Sequence, residues 1–117
     1  MRRTITVAGA LACAALALAL PALGATTATG VTVTAGKPAE FKFTLSKRSV
    51  AKGAVTFTVA NKGKLEHDFK IAGKKTVKLK PGRTTALNVT LKAGRVPYLC
   101  TLPGHAAGGM KGTLTVK

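Results

Sequence analysis

Beyond residue 30, hydrophobic and polar residues alternate in short runs with a period of two. The alternation is clearest in Phe41-x-Phe43-x-Leu45, Val55-x-Phe57-x-Val59 and Leu87-x-Val89-x-Leu91. A period of two places one face of a β-strand against a core and leaves the other face in solvent. Glycine, proline and asparagine separate the runs, and none of them has a helical period. The pattern therefore predicts an all-β domain.

Eight short strands follow from these runs, and we place them at residues 31–35, 40–45, 54–61, 67–71, 76–79, 84–91, 96–100 and 112–116. So many strands in so short a chain imply two packed sheets, as a sandwich or a flattened barrel. In the predicted strand 67–71, His67, Phe69 and Ile71 share the face that points to the core. Cys100 is the last residue of its predicted strand, so His67 and Cys100 both lie at strand ends.

Residues 1–24 predict a secretory signal peptide. Two arginines precede the apolar run 7–20, and Pro21 and small residues follow it. The run is too short to span a bilayer comfortably, so we expect cleavage, after Gly24 or at the alternative signal Thr26-x-Ala28, and no transmembrane segment afterwards. This predicts a leader over 1–24, a linker over 25–30 and one domain over 31–117. The domain would be exported to the periplasm, the cell surface or the medium.

Cysteine, histidine and methionine are scarce after the predicted leader, where the chain keeps only His67, Cys100, His105 and Met110. The last three form the motif C-x4-H-x4-M. One thiolate, two imidazoles and one thioether are the ligand set of a blue-copper electron-transfer site. Zinc would accept the cysteine and the histidines, but its structural sites favour a fourth strong ligand over a thioether. This set of four side chains therefore predicts a copper centre.

Each of these residues also has a structural explanation when it is taken alone. Cys100 could be a small buried apolar residue, His67 a hydrogen-bonded core histidine and Met110 a gap-filling side chain. A shared metal explains all four together, and it also explains a lone thiol in an oxidising compartment. Fully extended, the segment from Cys100 to Met110 would span more than about 30 Å. It must therefore turn back, and Pro103-Gly104 and Gly108-Gly109 can supply the turns.

Two segments resemble the cupredoxin family, which includes plastocyanin, azurin and auracyanin. The first, Tyr98-Leu-Cys100-Thr-Leu-Pro103-Gly104-His105 followed by Gly109-Met110-Lys-Gly112, resembles the copper loop of the family. Its Cys-Thr-x-Pro-Gly-His part is similar to azurin, and its four-residue gap before the methionine is similar to auracyanin. The second, from Asn61-x-Gly63 to His67-Asp68-Phe69, resembles the segment that carries the first histidine.

The resemblance implies an eight-stranded Greek-key β-sandwich that holds one type 1 copper ion. By matching position, it implies His67, Cys100 and His105 as equatorial ligands and Met110 as the axial ligand. Asp68 stands where the family often has asparagine. It can accept hydrogen bonds from backbone N–H groups or from Thr101, and an ionised Asp68 would favour copper(II) and lower the reduction potential.

The charge of the chain indicates the kind of partner. There are 19 lysines and arginines against three acidic residues, for a net charge of +16. Such a surface attracts acidic partners through long-range steering that salt weakens. Nucleic acid is not expected, because the protein is predicted to be exported, the lysines are dispersed, and one tyrosine and four phenylalanines are too few for a stacking platform.

Together with the resemblance, these features imply a monomeric carrier of single electrons between redox proteins. The resemblance also implies that His105 is the electron port, within an apolar patch formed by Leu102, Pro103, Ala106 and Ala107. An enzyme is not expected, because no further titratable residues remain for acid–base chemistry. Two alternatives stay open: a periplasmic copper carrier, chaperone or buffer that uses the same ligands, and a metal-free binding module or adhesin.

Overall fold

The computed structural model describes residues 27–117, which form nine strands and no α-helix. The predicted leader 1–24 and the cleavage site after Gly24 lie outside these residues. The strands are β1 (Thr29–Ala35), β2 (Phe43–Leu45), β3 (Ser49–Val50), β4 (Gly53–Asn61), β5 (Lys70–Ile71), β6 (Lys74–Lys75), β7 (Thr84–Leu91), β8 (Gly94–Leu99) and β9 (Lys111–Val116). No helix within the described residues has the length and apolar character needed to cross a bilayer.

The strands form two sheets, one with the order β2-β1-β4-β7 and the other with the order β3-β9-β8-β5-β6. β1 runs parallel to β4, and β3 runs parallel to β9. The remaining pairs are antiparallel. The predicted all-β sandwich is therefore confirmed, although two of its nine strands, β3 and β6, overlap none of the eight predicted strands.

One hydrophobic core lies between the two sheets and includes Val33, Phe57, Phe69 and Leu114, none of which is exposed. The alternation of apolar residues in β4 becomes an alternation of buried and more exposed positions, as the sequence predicts. Phe69 lies at the centre of an aromatic cluster, with its ring centroid 5.2 Å from that of Phe57, 5.4 Å from Phe43 and 5.5 Å from Tyr98. This packing fixes the segment that begins at His67.

Several predicted strand boundaries are wrong, because loops at one end of the sandwich replace regular pairing. β2 begins at Phe43 and not at residue 40, since residues 36–42 form a loop closed by a hydrogen bond from Gly36 N to Lys42 O of 2.9 Å. In the predicted strand 67–71 only Lys70–Ile71 is a strand, and His67 makes an isolated bridge to Leu79.

Other differences are smaller. The predicted strand 76–79 is replaced by β6, just before it. Cys100 is the first residue after β8, not the last residue of a strand. β1 begins two residues earlier than predicted, because residues from Thr29 onwards continue the parallel pairing with β4. The strand β3 was not predicted, because its two residues are too few to show an alternation of apolar and polar positions.

Candidate metal centre

The predicted ligand residues with nitrogen or thiol donors, His67, Cys100 and His105, converge at the loop end of the sandwich. One side-chain donor atom from each of His67, Cys100 and His105 lies within 4.8 Å of the other two. His67 is fully buried, Cys100 is 1% exposed and His105 is 9% exposed. The isolated bridge to Leu79 fixes the backbone of His67 through His67 N to Leu79 O (3.1 Å) and Leu79 N to His67 O (2.8 Å). The convergence thus joins two segments that are distant in the sequence.

The loop from Cys100 to Met110 turns back on itself, as predicted. Cys100 N donates to Met110 O at 3.1 Å, and Met110 N donates to His105 O at 3.0 Å. Two glycines of the predicted turns, Gly104 and Gly109, have φ angles of +81° and +112°, which only glycine adopts without strain. Met110 is fully buried, and it belongs to a small apolar cluster that also contains Ala35 and Cys100.

The donor atoms point at one another. Nδ1 of His67 lies 3.1 Å from Nδ1 of His105, which in turn lies 3.5 Å from Sγ of Cys100. Two imidazole nitrogens and a sulfur that face one point suit a soft or borderline cation, since imidazole and thiolate are the ligands such ions prefer. The chemistry of the donor set therefore fits copper.

Asp68 ties the two ligand segments together. Its backbone N donates to Sγ of Cys100 at 3.5 Å, and Thr101 N donates to its Oδ1 at 2.6 Å. The Thr101 hydroxyl donates to the other carboxylate oxygen. The hydrogen bonds expected for Asp68 are thus present, and they orient the thiol from outside the donor set, as ligand-supporting groups commonly do in metal sites.

Burial sets the protonation of the donors. It raises the pKa of the Cys100 thiol, against the opposing effect of backbone hydrogen bonds to the sulfur. Burial also lowers the pKa of His105, with a further contribution from the neighbouring His67. Both effects disfavour charged groups in a site with little solvent, so the thiol and the His105 imidazole are held neutral until a cation compensates the thiolate.

Glu40 is a residue of the site that sequence reasoning missed. Its Oε1 lies 2.8 Å from Nε2 of His67, and its carboxylate accepts hydrogen bonds from Lys64 N (2.9 Å) and Leu65 N (2.8 Å). The backbone N–H of Lys64, followed by that of Leu65 and by His67, lowers the pKa of Glu40 to about 2, although partial burial opposes the shift. The sequence placed Glu40 in a strand. In the sequence, Glu40 stands out only because it is one of three acidic residues in the chain.

A two-sheet sandwich that brings one cysteine and two histidines together at its loop end defines a cupredoxin-type metalloprotein. The chain belongs to the family of copper-binding proteins described as the plastocyanin/azurin family, whose model matches residues 29–117. Copper is therefore its cofactor, and His67, Cys100 and His105 are positioned to form a type 1 copper site.

Solved structures support the same fold. Auracyanin B is 24% identical with a TM-score of 0.69, and the match covers 79% of this chain and 91% of that one. Rusticyanin from Thiobacillus ferrooxidans is 25% identical with a TM-score of 0.66 and a coverage of 79% of both chains. Auracyanin A from Chloroflexus aurantiacus, described as a "blue" copper protein, is 20% identical with a TM-score of 0.67, over 78% of this chain and all of that one. Among curated proteins, none matches.

The protonation of the site gives a first prediction. At pH 8, above the usual histidine pKa of about 6.5, binding of Cu(I) should release about one proton, which comes from the Cys100 thiol. Isothermal titration calorimetry in two buffers with different ionisation enthalpies measures this number. Cys100→Ser should release almost none, because a serine hydroxyl stays protonated. Wild-type protein that binds Cu(I) without proton release would show that the thiol is not the ligand.

Proposed function

We propose that the protein is an exported type 1 blue copper protein that carries single electrons between redox partners. In this proposal His67, Cys100 and His105 are the equatorial ligands and Met110 is the axial ligand. The observation that supports it most strongly is the convergence of one donor atom each from His67, Cys100 and His105, all within 4.8 Å of one another, at the loop end of the sandwich. Export is proposed from the signal peptide predicted over 1–24.

The geometry suits an electron carrier because the protein holds its ligands in place. A bound copper ion would supply the one-electron couple between Cu(I) and Cu(II), and a trigonal set of one thiolate and two imidazoles with a weak axial sulfur tolerates both states. Hydrogen bonds within the loop and from Asp68 keep the donors where they are. Small changes in ligand position between the two states keep the reorganisation cost of electron transfer low.

Electrons would enter and leave through His105, the most exposed of the three converging residues. The residues around it on the loop are mainly apolar, and they include the partly exposed Leu102 and Ala106 and the exposed Pro103 and Ala107. The ring of Phe41 packs on the imidazole, with 4.9 Å between the ring centroids. This surface is small and apolar, as a site for brief contact with a redox partner should be.

Acidic redox proteins are the proposed partners of this surface. Lys64 and Lys111 are exposed and lie next to ligand segments in the chain, and the net charge of +16 favours attraction of negatively charged surfaces. We also propose that the protein acts as a monomer and that it is not an enzyme. The donor residues are committed to the metal, and the apolar loop supplies no acid–base pair.

The axial role of Met110 leads to a second prediction. Met110→Leu should raise the reduction potential and keep the blue colour, because it removes a weak donor that favours copper(II) but leaves the thiolate in place. Leucine has a similar volume, so the apolar cluster with Ala35 and Cys100 should survive. Cyclic voltammetry and visible spectroscopy of the loaded protein measure both quantities. Loss of copper binding would mean that Met110 is more than a weak axial ligand.

The carrier role is tested by comparing electron exchange with metal loss. NMR line broadening in mixtures of Cu(I) and Cu(II) protein gives the rate of electron self-exchange, and a chelator gives the rate of copper dissociation. We expect fast self-exchange and slow dissociation. Slow self-exchange together with ready transfer of copper to an acceptor protein would instead assign the chain to copper delivery or buffering.

A further inference from the structure

We infer that Glu40 is a positioning residue for the copper centre, which holds the imidazole of His67 in the tautomer and orientation that presents Nδ1 to the metal. This inference rests on the proposed copper site. It adds a carboxylate–histidine–metal relay to that site, built from a loop that the ligand motifs do not include. The relay explains why one of only three acidic residues in a strongly basic chain lies against a buried ligand.

The contact is specific. Oε1 of Glu40 lies 2.8 Å from Nε2 of His67, and the Glu40 side chain is 27% exposed while that of His67 is fully buried. A carboxylate is an acceptor, so Nε2 must carry the proton and donate it. In the neutral imidazole, Nδ1 of His67 then carries a lone pair, and it faces Nδ1 of His105 at 3.1 Å. A single hydrogen bond therefore decides which nitrogen of His67 is free to bind a metal.

The carboxylate is itself held in place. Lys64 N and Leu65 N donate to it at 2.9 and 2.8 Å. Asn61 fixes the same loop independently, because its side-chain amide donates to Leu65 O and Leu79 O and accepts from Gly63 N. The loop does not depend on Glu40 alone, so a substitution at Glu40 should alter His67 before it alters the fold.

Gly63 leaves the space in which this contact forms. A Cβ at residue 63 would lie 2.6 Å from Oε1 of Glu40 and 2.9 Å from Nε2 of His67. Both distances are too short for a carbon, so the flexible end of the Glu40 side chain must move away and the buried His67 imidazole must shift as well. Gly63→Ala should therefore separate Glu40 from His67 without changing any charge.

The hydrogen bond between Glu40 and His67 should affect both the copper affinity and the reduction potential of the centre. A carboxylate that accepts the Nε2 proton makes the imidazole a stronger donor at Nδ1, and such outer groups are typically worth roughly 10–100-fold in metal affinity. The added negative charge favours the more highly charged ion, copper(II). If a substitution weakens copper(II) binding tenfold more than it weakens Cu(I) binding, the reduction potential should rise by about 59 mV. This is the shift that a tenfold change in equilibrium constant gives in a one-electron couple.

Three variants separate geometry from charge. Glu40→Gln removes the charge but keeps an oxygen that can accept the Nε2 proton. Gly63→Ala keeps the charge and disrupts the contact. Glu66→Gln is the matched control, because Glu66 is exposed and next to His67 in the chain, so the same charge is lost without loss of the relay.

Two measurements are made on each protein. The first is the tautomer of His67 in the metal-free protein at pH 8, from the nitrogen-15 shifts of its ring, which needs no copper. We expect the proton on Nε2 in wild type, Glu40→Gln and Glu66→Gln, and a mixture of tautomers in Gly63→Ala. The second measurement, made on the copper-loaded protein, gives two quantities: the reduction potential and the affinity for copper(II). We expect a higher potential in Glu40→Gln than in Glu66→Gln, and a roughly tenfold or greater loss of copper(II) affinity in Gly63→Ala.

The outcomes distinguish this inference from the proposed function. A wild-type His67 that carries its proton on Nδ1 would overturn the positioning role, whether or not copper binds. If the reduction potential of Glu40→Gln is no higher than that of Glu66→Gln, the claim that the Glu40 charge favours copper(II) is overturned. Wild-type protein that shows the Nε2 tautomer but binds no copper would refute the copper function and leave the Glu40–His67 contact established.

Discussion

Replacing Cys100 with serine is expected to abolish the intense visible absorption of the copper(II) protein. The absorption of a blue copper site comes from charge transfer between the cysteine thiolate and the metal, and a serine hydroxyl stays protonated and provides no such transition. The side chain is 1% exposed, and serine is close to it in size, so the fold should be retained. His67 and His105 should still bind copper(II), but weakly and with little colour. Visible spectra of both proteins at saturating copper test this.

Met110→Leu serves as the matched control for this experiment. Both substitutions replace a sulfur-containing side chain of the same loop, but only Cys100→Ser removes the thiolate. We therefore expect colour in Met110→Leu and none in Cys100→Ser, with similar circular dichroism of the metal-free proteins. A Cys100→Ser variant as blue as wild type would refute the assignment of the site.

Among the substitutions proposed for this protein, Phe69→Ala is expected to destabilise the fold most. The free energy of unfolding should fall by about 3–5 kcal/mol. Phe69 is fully buried, and its ring meets those of Phe43, Phe57 and Tyr98 at centroid distances of 5.2 to 5.5 Å. A typical domain has about 5–15 kcal/mol of stability in total, so the metal-free variant should be close to unfolding. Urea denaturation followed by circular dichroism measures the free energy of unfolding.

The same substitution links the core to the metal centre, because Phe69 anchors the segment that carries His67. Excess copper should recover part of the lost stability, about 2.7 kcal/mol when its free concentration is 100 times the dissociation constant. Val77→Ala is the control: Val77 is 71% exposed, and its loss should change stability by less than about 0.5 kcal/mol. Equal stabilities of Phe69→Ala and Val77→Ala would contradict the described core.

The fold was predictable wherever one face of a strand is buried along its length. In β4 and β7 the period-two pattern is strong, and the structure shows these strands paired from Gly53–Leu91 to Ala60–Thr84. The pattern fails at the loop end of the sandwich. Asp68 is buried although it follows the buried His67, because hydrogen bonds to Thr101 replace the strand alternation there.

The metal centre was predictable for a different reason. The spacing of Cys100, His105 and Met110 is local, and Gly104 and Gly109 supply the turns that close the loop. The position of His67 followed from its place before a buried phenylalanine. Glu40 could not be placed, because its contact with His67 joins residues 27 positions apart through a loop that the alternation presented as the start of a strand.

Titration of the purified protein with copper(II), followed by visible absorption, tests the central claim most directly. If His67, Cys100 and His105 bind one ion as a type 1 site, an intense blue band should grow with each addition and stop at one copper per chain. Copper binding without that band, or no binding at all, would contradict the account.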